Sequence, residues 1–174
     1  YQFEHKYINL GVNFYYMWYK DQLVLTGEQN PDTYEALYMN VPESYRRGIE
    51  LTVSSEPLSW LKISANATFS QNKILDYTEY VYNDDTYATD AFYIGESTIA
   101  YSPSIIAGIA LDFHTHGFTG VWRTQYVSKQ YITNGMNENL TIDPYCVSSV
   151  DLSYKLALPK EKSIRFGVQI NNLF

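Results

Sequence analysis

The sequence is poor in the residues that build several common kinds of site. It has a single cysteine, Cys146, which excludes a disulfide framework and a thiolate cluster for zinc or iron–sulfur. Lysine and arginine number 12 against 19 aspartates and glutamates, and the net charge of −7 disfavours nucleic acid as a partner. No run of about 18 apolar residues occurs, so a transmembrane helix is excluded.

The sequence also lacks the patterns that mark enzymes. There is no G-x-S-x-G element, no glycine-rich phosphate loop and no Ser/His/Asp spacing, so we expect neither catalysis nor a cofactor. A start methionine and a signal peptide are missing too, because the chain begins at Tyr1. We therefore expect the 174 residues to come from inside a longer precursor or to follow a cleaved segment.

What the sequence does have is aromatic residues, 18 of them tyrosine, and a hydrophobic pattern of period two. Even positions from Ile8 to Trp18 are apolar or aromatic, while the odd positions include Asn9, Gly11 and Asn13. No segment shows helical spacing, so the pattern predicts an all-β protein. The same alternation recurs along the chain and predicts seven strands, at 7–20, 43–55, 60–72, 96–113, 118–131, 145–157 and 163–174. The segment before Tyr7 is interpreted as the tail of an earlier strand.

The connections between these strands alternate between two sizes. Short turns lie at 56–59, 114–117 and 159–161, and long polar segments lie at 20–42, 71–96 and 129–144. Hairpins centred on the short turns pair Val53 with Ile63, Phe113 with Phe118, and Leu156 with Ile164. Each hairpin then acquires one apolar and one polar face, which predicts an antiparallel up-and-down meander.

The predicted strands favour a transmembrane barrel over a soluble one. They are longer than ten residues, whereas soluble strands average about 5–6 and membrane-spanning strands need about 9–11. The polar face is interpreted as lining a wet lumen, with wall residues Arg46, Glu50, Lys62, Asn66, Arg123, Gln125, Asp151, Lys155, Arg165 and Gln169. Aromatic residues are predicted to lie at the membrane interfaces, namely Tyr16, Trp18, Trp60, Phe113, Phe118 and Trp122.

Several stretches resemble one family closely. These are YYMWYKDQLVLTGE at 15–28, N-x-P-x-SYRRGIEL at 40–51, EPLSWLKISANATFS at 56–70, and the ending RFGVQINNLF at 165–174. They are similar to the TonB-dependent outer-membrane receptors, in particular to members from Bacteroidetes-type bacteria. The resemblance implies a 22-stranded barrel with a plug in its lumen. Residues 1–174 would then be a C-terminal segment of the barrel, with about seven of its strands and no plug domain.

The resemblance also implies a function and a set of partners. Such receptors lie in the bacterial outer membrane and import scarce ligands with energy from an inner-membrane complex. The partners implied are outer-membrane lipid, the plug domain of the same receptor, the TonB complex acting through the missing N-terminal part, and a small-molecule or oligosaccharide ligand. That ligand would be a siderophore or other iron chelate, haem, cobalamin or a glycan. This segment would supply barrel wall and three extracellular loops.

Two other proteins fit the alternation. One is a complete eight-stranded outer-membrane barrel with a structural or passive role, which requires another strand before Tyr7. The other is a soluble lipocalin-like binding module, which would place its apolar face inside.

Candidate ligand contacts concentrate in the long segment at 71–96. Six acidic residues and one lysine lie between Ser70 and Glu96, interleaved with aromatic rings that could stack on a sugar or a chelate. The residues proposed to bind ligand are Tyr77, Tyr80, Tyr82, Asp84, Asp85, Tyr87, Asp90 and Tyr93. A solvated loop without a ligand fits the same composition, and a Ca²⁺ site lacks EF-hand spacing. His114 and His116 are interpreted as polar turn residues and not as metal ligands.

Overall fold

The computed structural model describes residues 1–30, 33–83 and 85–173, without the side chains of residues 27–29. In these residues every regular element is a β-strand, as predicted. None of the described residues forms a helix long and apolar enough to cross a membrane. The strands are β1 (Gln2–His5), β2 (Ile8–Gln29), β3 (Ala36–Leu58), β4 (Leu61–Asn83), β5 (Ala88–Thr98), β6 (Ile105–Thr115), β7 (Phe118–Val127), β8 (Gln130–Tyr131), β9 (Thr141–Ile142), β10 (Tyr145–Ala157) and β11 (Ser163–Ile170).

The strands form one curved meander. Nine of them make a single antiparallel sheet in the order β1-β2-β3-β4-β6-β7-β10-β11, with β5 added to the outer part of β4. The remaining two, β8 and β9, pair with each other in the connection between β7 and β10. Among the described strands the sheet does not close, since β1 and β11 lie at its two edges. The predicted antiparallel meander is confirmed, and the segment before Tyr7 is a short strand of its own.

The three short hairpins test the predicted registers. The third is confirmed, with Leu156 opposite Ile164. The first two were wrong by two residues, because Val53 lies opposite Ala65 and Phe113 opposite Gly120. A shift of two keeps every side chain on its predicted face.

Each shifted register has a local cause. The first hairpin carries an irregularity between Ser55 and Leu58 and then closes tightly, with Leu58 opposite Leu61. The second closes through His116 and Gly117, whose φ angles are 44° and 84°. Two central residues with positive φ make the tight turn that suits the twist of a hairpin. The four-residue turn that the sequence predicted is therefore not needed.

Two of the three predicted long loops are instead extensions of strands. Beyond the wall, β2 and β3 stay paired as far as Gln29 and Ala36, and β4 and β5 form a hairpin that ends with Asn83 opposite Ala88. Only a few side chains of these extensions pack into a small apolar cluster, and most of the others are exposed, so the extensions need no continuous apolar face. They are rich in Tyr, Thr and Val, which favour strands. The period-two argument missed them because it required alternation with an apolar face.

The single strand predicted at 96–113 is two strands. The outer half of β4 pairs with β5, and its inner half pairs with β6, from Leu61 opposite Phe113 to Phe69 opposite Ile105. Between β5 and β6 the chain passes through Tyr101, which has φ of 52°, and Pro103. Proline has no N–H to donate to a ladder, so the strand is interrupted here. The connecting segment 99–104 therefore leaves the sheet and lies over its polar face, which is the concave side of the curved wall.

The buried apolar core lies in the extensions and not in the wall. Val24, Val41, Ile74, Tyr77 and Ile99 form this cluster. On the wall, apolar side chains of the convex face stay exposed, for example Phe14 at 71% and Val168 at 61%. Polar side chains line the concave side. This arrangement is the inverse of a lipocalin-like barrel, whose apolar residues would point inward.

Candidate functional site

The concave face of the wall carries most of the predicted wall residues. Asn66, Arg123 and Gln125 line a trough of about 730 Å³ across the middle of the sheet. Arg123 forms an ion pair with Asp151 on the neighbouring strand. Cross-strand pairing and the two-residue period of the strands place four more predicted wall residues on the same face, namely Lys62, Lys155, Arg165 and Gln169. These predicted wall residues therefore share one face of the sheet.

A second cavity, of about 490 Å³, lies closer to the long hairpins, and we call it the upper cavity. Its lining mixes one cation, one carboxylate, aromatic rings and hydroxyls. The contributing residues are Tyr15, Met17, Arg46, Glu50, Thr68, Ser70, Asn72, Tyr101, Ser102, Pro103 and Ile106. Strands β2, β3 and β4 supply one side, and the segment between β5 and β6 supplies the other. Apolar contact with a few convergent polar groups is the usual make-up of a small-molecule site.

Arg46 is the only cation in that lining, and uncharged groups hold it. Its Nη1 donates to Asn72 Oδ1 at 3.4 Å and to Ser102 Oγ at 3.2 Å. Glu50, which also lines the cavity, instead accepts a hydrogen bond from Asn13 Nδ2 at 3.0 Å. In the described part of the chain no carboxylate lies within ion-pairing distance of Arg46. Its positive charge is thus available to a ligand with acidic oxygens.

The position of the segment 99–104 depends on Asn134, a residue that sequence analysis missed. Asn134 is only 1% exposed. Its Oδ1 accepts from the amide of Ala100 at 2.7 Å, and its Nδ2 donates to the carbonyl of Leu25 at 2.6 Å. Its own carbonyl accepts a hydrogen bond from Ser97 Oγ. One side chain in the third long connection therefore joins the β2 extension to the segment that carries Tyr101.

The predicted ligand-binding residues of 71–96 fall into two groups. Tyr77 is completely buried in the core of the extensions. The others that the structure describes lie on the outer part of the β4/β5 hairpin, and all of them are exposed. Tyr87 and Tyr93 are the most exposed of the tyrosines, at 82% and 74%. The remaining residues of this group are Tyr80, Tyr82, Asp85 and Asp90. Asp84 lies outside the described residues. The structure does not bring these side chains into the upper cavity.

The tip of that hairpin is held by its own hydrogen bonds. Asn83 Nδ2 donates to Asp90 Oδ2 at 3.1 Å, and Asn83 Oδ1 accepts from the amides of Asp85 and Thr86. Such side-chain-to-backbone bonds stabilise a turn locally. Nearby, a hydrogen bond to Asp76, with the charge of that carboxylate, raises the pKa of the Tyr93 hydroxyl.

A second exposed cluster fixes the third long connection. Lys129 forms an ion pair with Glu138, and Tyr131 Oη donates to Glu138 Oε1 at 2.7 Å. The hydrogen bond from Lys129 is the main reason that the pKa of Glu138 is lowered. The hydrogen bond to Glu138 raises the pKa of Lys129 and that of Tyr131. This cluster lies next to the amide of Tyr101, which donates to the carbonyl of Tyr131 at 2.9 Å.

Other candidate residues remain isolated. Cys146 is exposed, and the His116 ring shares a hydrogen bond with the hydroxyl of its neighbour Thr115. No group of three or more metal-ligating side chains occurs among the residues that the structure describes.

Comparison with known proteins decides the family. The profile of the family described as "TonB dependent receptor-like, beta-barrel" matches residues 1–173. The chain belongs to this family. Its members are receptors and not enzymes. No curated protein matches the TonB-dependent receptor segment in a sequence search.

Solved structures of similar fold include three receptors from two organisms. The ferric preacinetobactin receptor BauA of Acinetobacter baumannii has a TM-score of 0.69 and 18% identity, and the match covers 99% of this chain and 24% of BauA. The siderophore receptor PiuA of the same organism has a TM-score of 0.68 and 19% identity, and the match covers 98% of this chain and 22% of PiuA. The ferric-catecholate import receptor Fiu of E. coli has a TM-score of 0.61 and 16% identity, and the match covers 97% of this chain and 21% of Fiu. The TonB-dependent receptor segment thus spans about a quarter of the length of these proteins.

Membership of this family places the wall in the bacterial outer membrane. The aromatic residues predicted at the interfaces can now be located on it. Trp60 stacks with Phe113 at 6.2 Å near the short turns, where Phe118 also lies. Tyr16 and Trp18 stack with each other and with Tyr45 towards the long hairpins. Trp122 differs, because it lies in the middle of β7, opposite Leu111 and Val150.

Proposed function

We propose that this chain is wall and mouth of a TonB-dependent importer, and that its ligand binds in the upper cavity. Residues 1–174 would be a C-terminal segment of the barrel, while the plug and the contact with the inner-membrane TonB complex come from the rest of the receptor. Ligand capture at the outer side would precede plug rearrangement and entry. The polar trough around Arg123 would then face the plug.

The observation that carries this proposal is the state of Arg46. The residue is partly buried in a cavity of about 490 Å³, and its hydrogen-bond partners are uncharged. A partly buried guanidinium without an ion pair favours a ligand with anionic or strongly polarised oxygens. The rings of Tyr15 and Tyr101 line the same cavity and could pack on flat groups of that ligand.

Among the ligand classes open to the family, a ferric chelate with acidic oxygen donors fits these groups best. Iron siderophores of this kind present negative charge and aromatic or planar faces together. The ligands named for similar structures, the ferric preacinetobactin receptor and the ferric-catecholate import receptor, support the same class. The likeness of the sequence stretches to Bacteroidetes-type receptors suggests the source.

The exposed rim of the β4/β5 hairpin would make the first contact. Tyr80, Tyr82, Tyr87 and Tyr93 offer rings to solvent, and Asp85 and Asp90 offer oxygens. Such a rim also suits a sugar, so a glycan is the second candidate ligand. Binding of the ligand at the rim alone would leave affinity independent of Arg46, and this separates the two candidates.

The experiment is equilibrium binding to the purified receptor that contains this segment, with a panel of ferric catecholate and ferric citrate complexes and neutral oligosaccharides. Arg46→Ala removes a charge-assisted contact, so we expect roughly 10- to 100-fold weaker binding of the ferric chelate. Arg165→Ala is the control, because Arg165 lies on the same wall but outside both cavities. Equal affinities for the two variants, or binding of oligosaccharide only, would contradict the proposed ligand class.

A further inference from the structure

One arginine of the wall, Arg47, lies on the apolar convex face and not on the polar face that is expected to line the lumen. Arg47 follows the polar-face residue Arg46 and therefore points to the convex face, in line with Ile49, Leu51 and Val53. Across the sheet it is opposite Tyr16 on β2 and Gln71 on β4, which share this face. Arg47 is exposed. A cation on the lipid-facing side of a barrel is destabilising at the membrane midplane and tolerated near the interfaces.

The level of Arg47 along the strand can be estimated from the hairpin. It precedes Leu58, at the short turn, by eleven residues. At about 3.3 Å per residue and a tilt of about 40°, this separation corresponds to roughly 28 Å along the membrane normal. The apolar band of such barrels is about 25 Å tall. Arg47 therefore lies at the outer boundary of the band, at the level of the aromatic cluster of Tyr16, Trp18 and Tyr45.

Two neighbouring side chains, Tyr45 and Gln71, contact the guanidinium of Arg47. Its Cζ lies 5.1 Å from the centre of the Tyr45 ring, and its Nε donates to Gln71 Oε1 at 2.9 Å. Tyr45 itself is buried and stacks with both Tyr16 and Trp18, whose ring centres are 6.2 and 6.4 Å away. Among the described residues these contacts use Nε and the face of the guanidinium, so the two terminal amino groups of Arg47 are available to a ligand.

Lys73 and Lys20, which lie further out on β4 and β2, each have a carboxylate beside them, whereas Arg47 has none within the described ranges. Lys73 Nζ lies 3.4 Å from Glu96 Oε1, and Lys20 is opposite Glu43 in the β2/β3 ladder. For Arg47, no acidic oxygen is within ion-pairing distance in the part of the chain that the structure describes. An unpaired arginine at an aromatic interface is the arrangement that attracts the anionic head group of a lipid.

We propose that Arg47, Tyr45 and Gln71 form a binding site for the phosphate of an outer-leaflet membrane lipid. The guanidinium would donate two parallel hydrogen bonds to phosphate oxygens, which its planar geometry matches. The stacked rings of Tyr16 and Trp18 would lie against the upper part of the acyl chains. Charge complementarity favours this occupant, since Arg47 is an exposed cation without an ion pair among the described residues and lies beside an apolar band. The site is separate from the upper cavity, which opens on the opposite face.

The test is native mass spectrometry of the purified receptor released from nanodiscs of phosphatidylcholine with a minor fraction of phosphatidylglycerol. We expect Arg47→Gln to retain roughly tenfold less phosphatidylglycerol than the unmodified receptor. Arg165→Gln makes the same exchange on the concave face and should retain the normal amount. Arg47→Lys keeps the charge but not the planar fork, so its retention should be intermediate.

A folding control accompanies each variant, namely the heat-dependent shift of the barrel on an electrophoresis gel. If Arg47→Gln folds and retains as much anionic lipid as Arg165→Gln, the site does not exist. Equal losses in both variants would show a general charge effect and overturn the proposal as well. A change of oligomeric state in Arg47→Gln, with lipid retention unaltered, would assign this face to a second copy of the chain instead.

Discussion

Replacing Asn134 by alanine should loosen the segment 99–104, which forms one side of the upper cavity, without unfolding the wall. The substitution removes two side-chain hydrogen bonds, one to the amide of Ala100 and one to the carbonyl of Leu25. It leaves the main-chain carbonyl that accepts from Ser97 in place. The segment 99–104 would therefore lose its tie to the β2 extension. The strands below it would keep their ladders.

The size of the effect follows from the two groups left without partners. Both are partly buried, so about 1–1.5 kcal/mol for each is a suitable value. The free energy of local opening should fall by about 2–3 kcal/mol. If Ala100 and Tyr101 exchange their amide hydrogens through that opening, their rates should rise roughly 30- to 150-fold.

Hydrogen–deuterium exchange on the receptor measures this directly, with peptides that cover 97–104. Asn137→Ala is the matched control, because Asn137 is in the same connection, where its Oδ1 accepts only from the amide of Asn139 at 2.9 Å. That variant should change exchange at Ala100 less than about threefold. Unchanged exchange in Asn134→Ala, or equal acceleration in both variants, would refute the reasoning that Asn134 holds the segment.

Two further predictions concern the connection at 129–144 and the second short turn. Because the pKa of Glu138 is lowered from its ordinary value of 4.5, its contribution to the folded connection is present above that value and is lost as pH falls below it. A nitroxide label at Asn139 should therefore become more mobile below about pH 4.5. In the Glu138→Gln variant the label should be mobile at every pH. A label that stays equally immobile in the unmodified receptor and in Glu138→Gln at every pH would contradict this. Gly117→Ala should destabilise the receptor by about 1–2 kcal/mol in urea unfolding, since φ is 84° and a Cβ would lie 2.7 Å from the carbonyl oxygen of Lys155. Gly167→Ala, whose Cβ would be 3.6 Å from its nearest neighbour, should change stability by less than about 0.5 kcal/mol, and equal effects would show that the turn geometry is not limiting.

The sequence predicted the wall well because one physical rule governs it. A strand between lipid and a polar lumen must alternate, so Leu152 and Val168 could be assigned to one face and Asp151 and Gln169 to the other. The registers of two hairpins still failed by two residues. Alternation determines the face of each residue but not the length of the turn.

The outer part of the molecule was harder to predict for a physical reason. Beyond the membrane both faces of a strand meet water or other loops, so polar sequences such as 71–83 pair as strands without an apolar pattern. Tyr77 was assigned to ligand contact by composition, whereas the fold buries it against Val24 and Ile74. Asn134 bonds to Leu25, which is 109 residues away in the chain. Nothing local to Asn134 signals such a contact.

The central claim is that the apolar face of this wall meets lipid and the polar face meets water. Spin labels at Leu51 and Thr52, adjacent residues on opposite faces of β3, test it most directly in a membrane-embedded receptor whose native thiols, Cys146 included, have been replaced. Our account predicts that the label at 51 collides mainly with oxygen dissolved in lipid, and the label at 52 mainly with a water-soluble nickel chelate. The reverse accessibilities, or equal access of the nickel chelate to both labels, would contradict it.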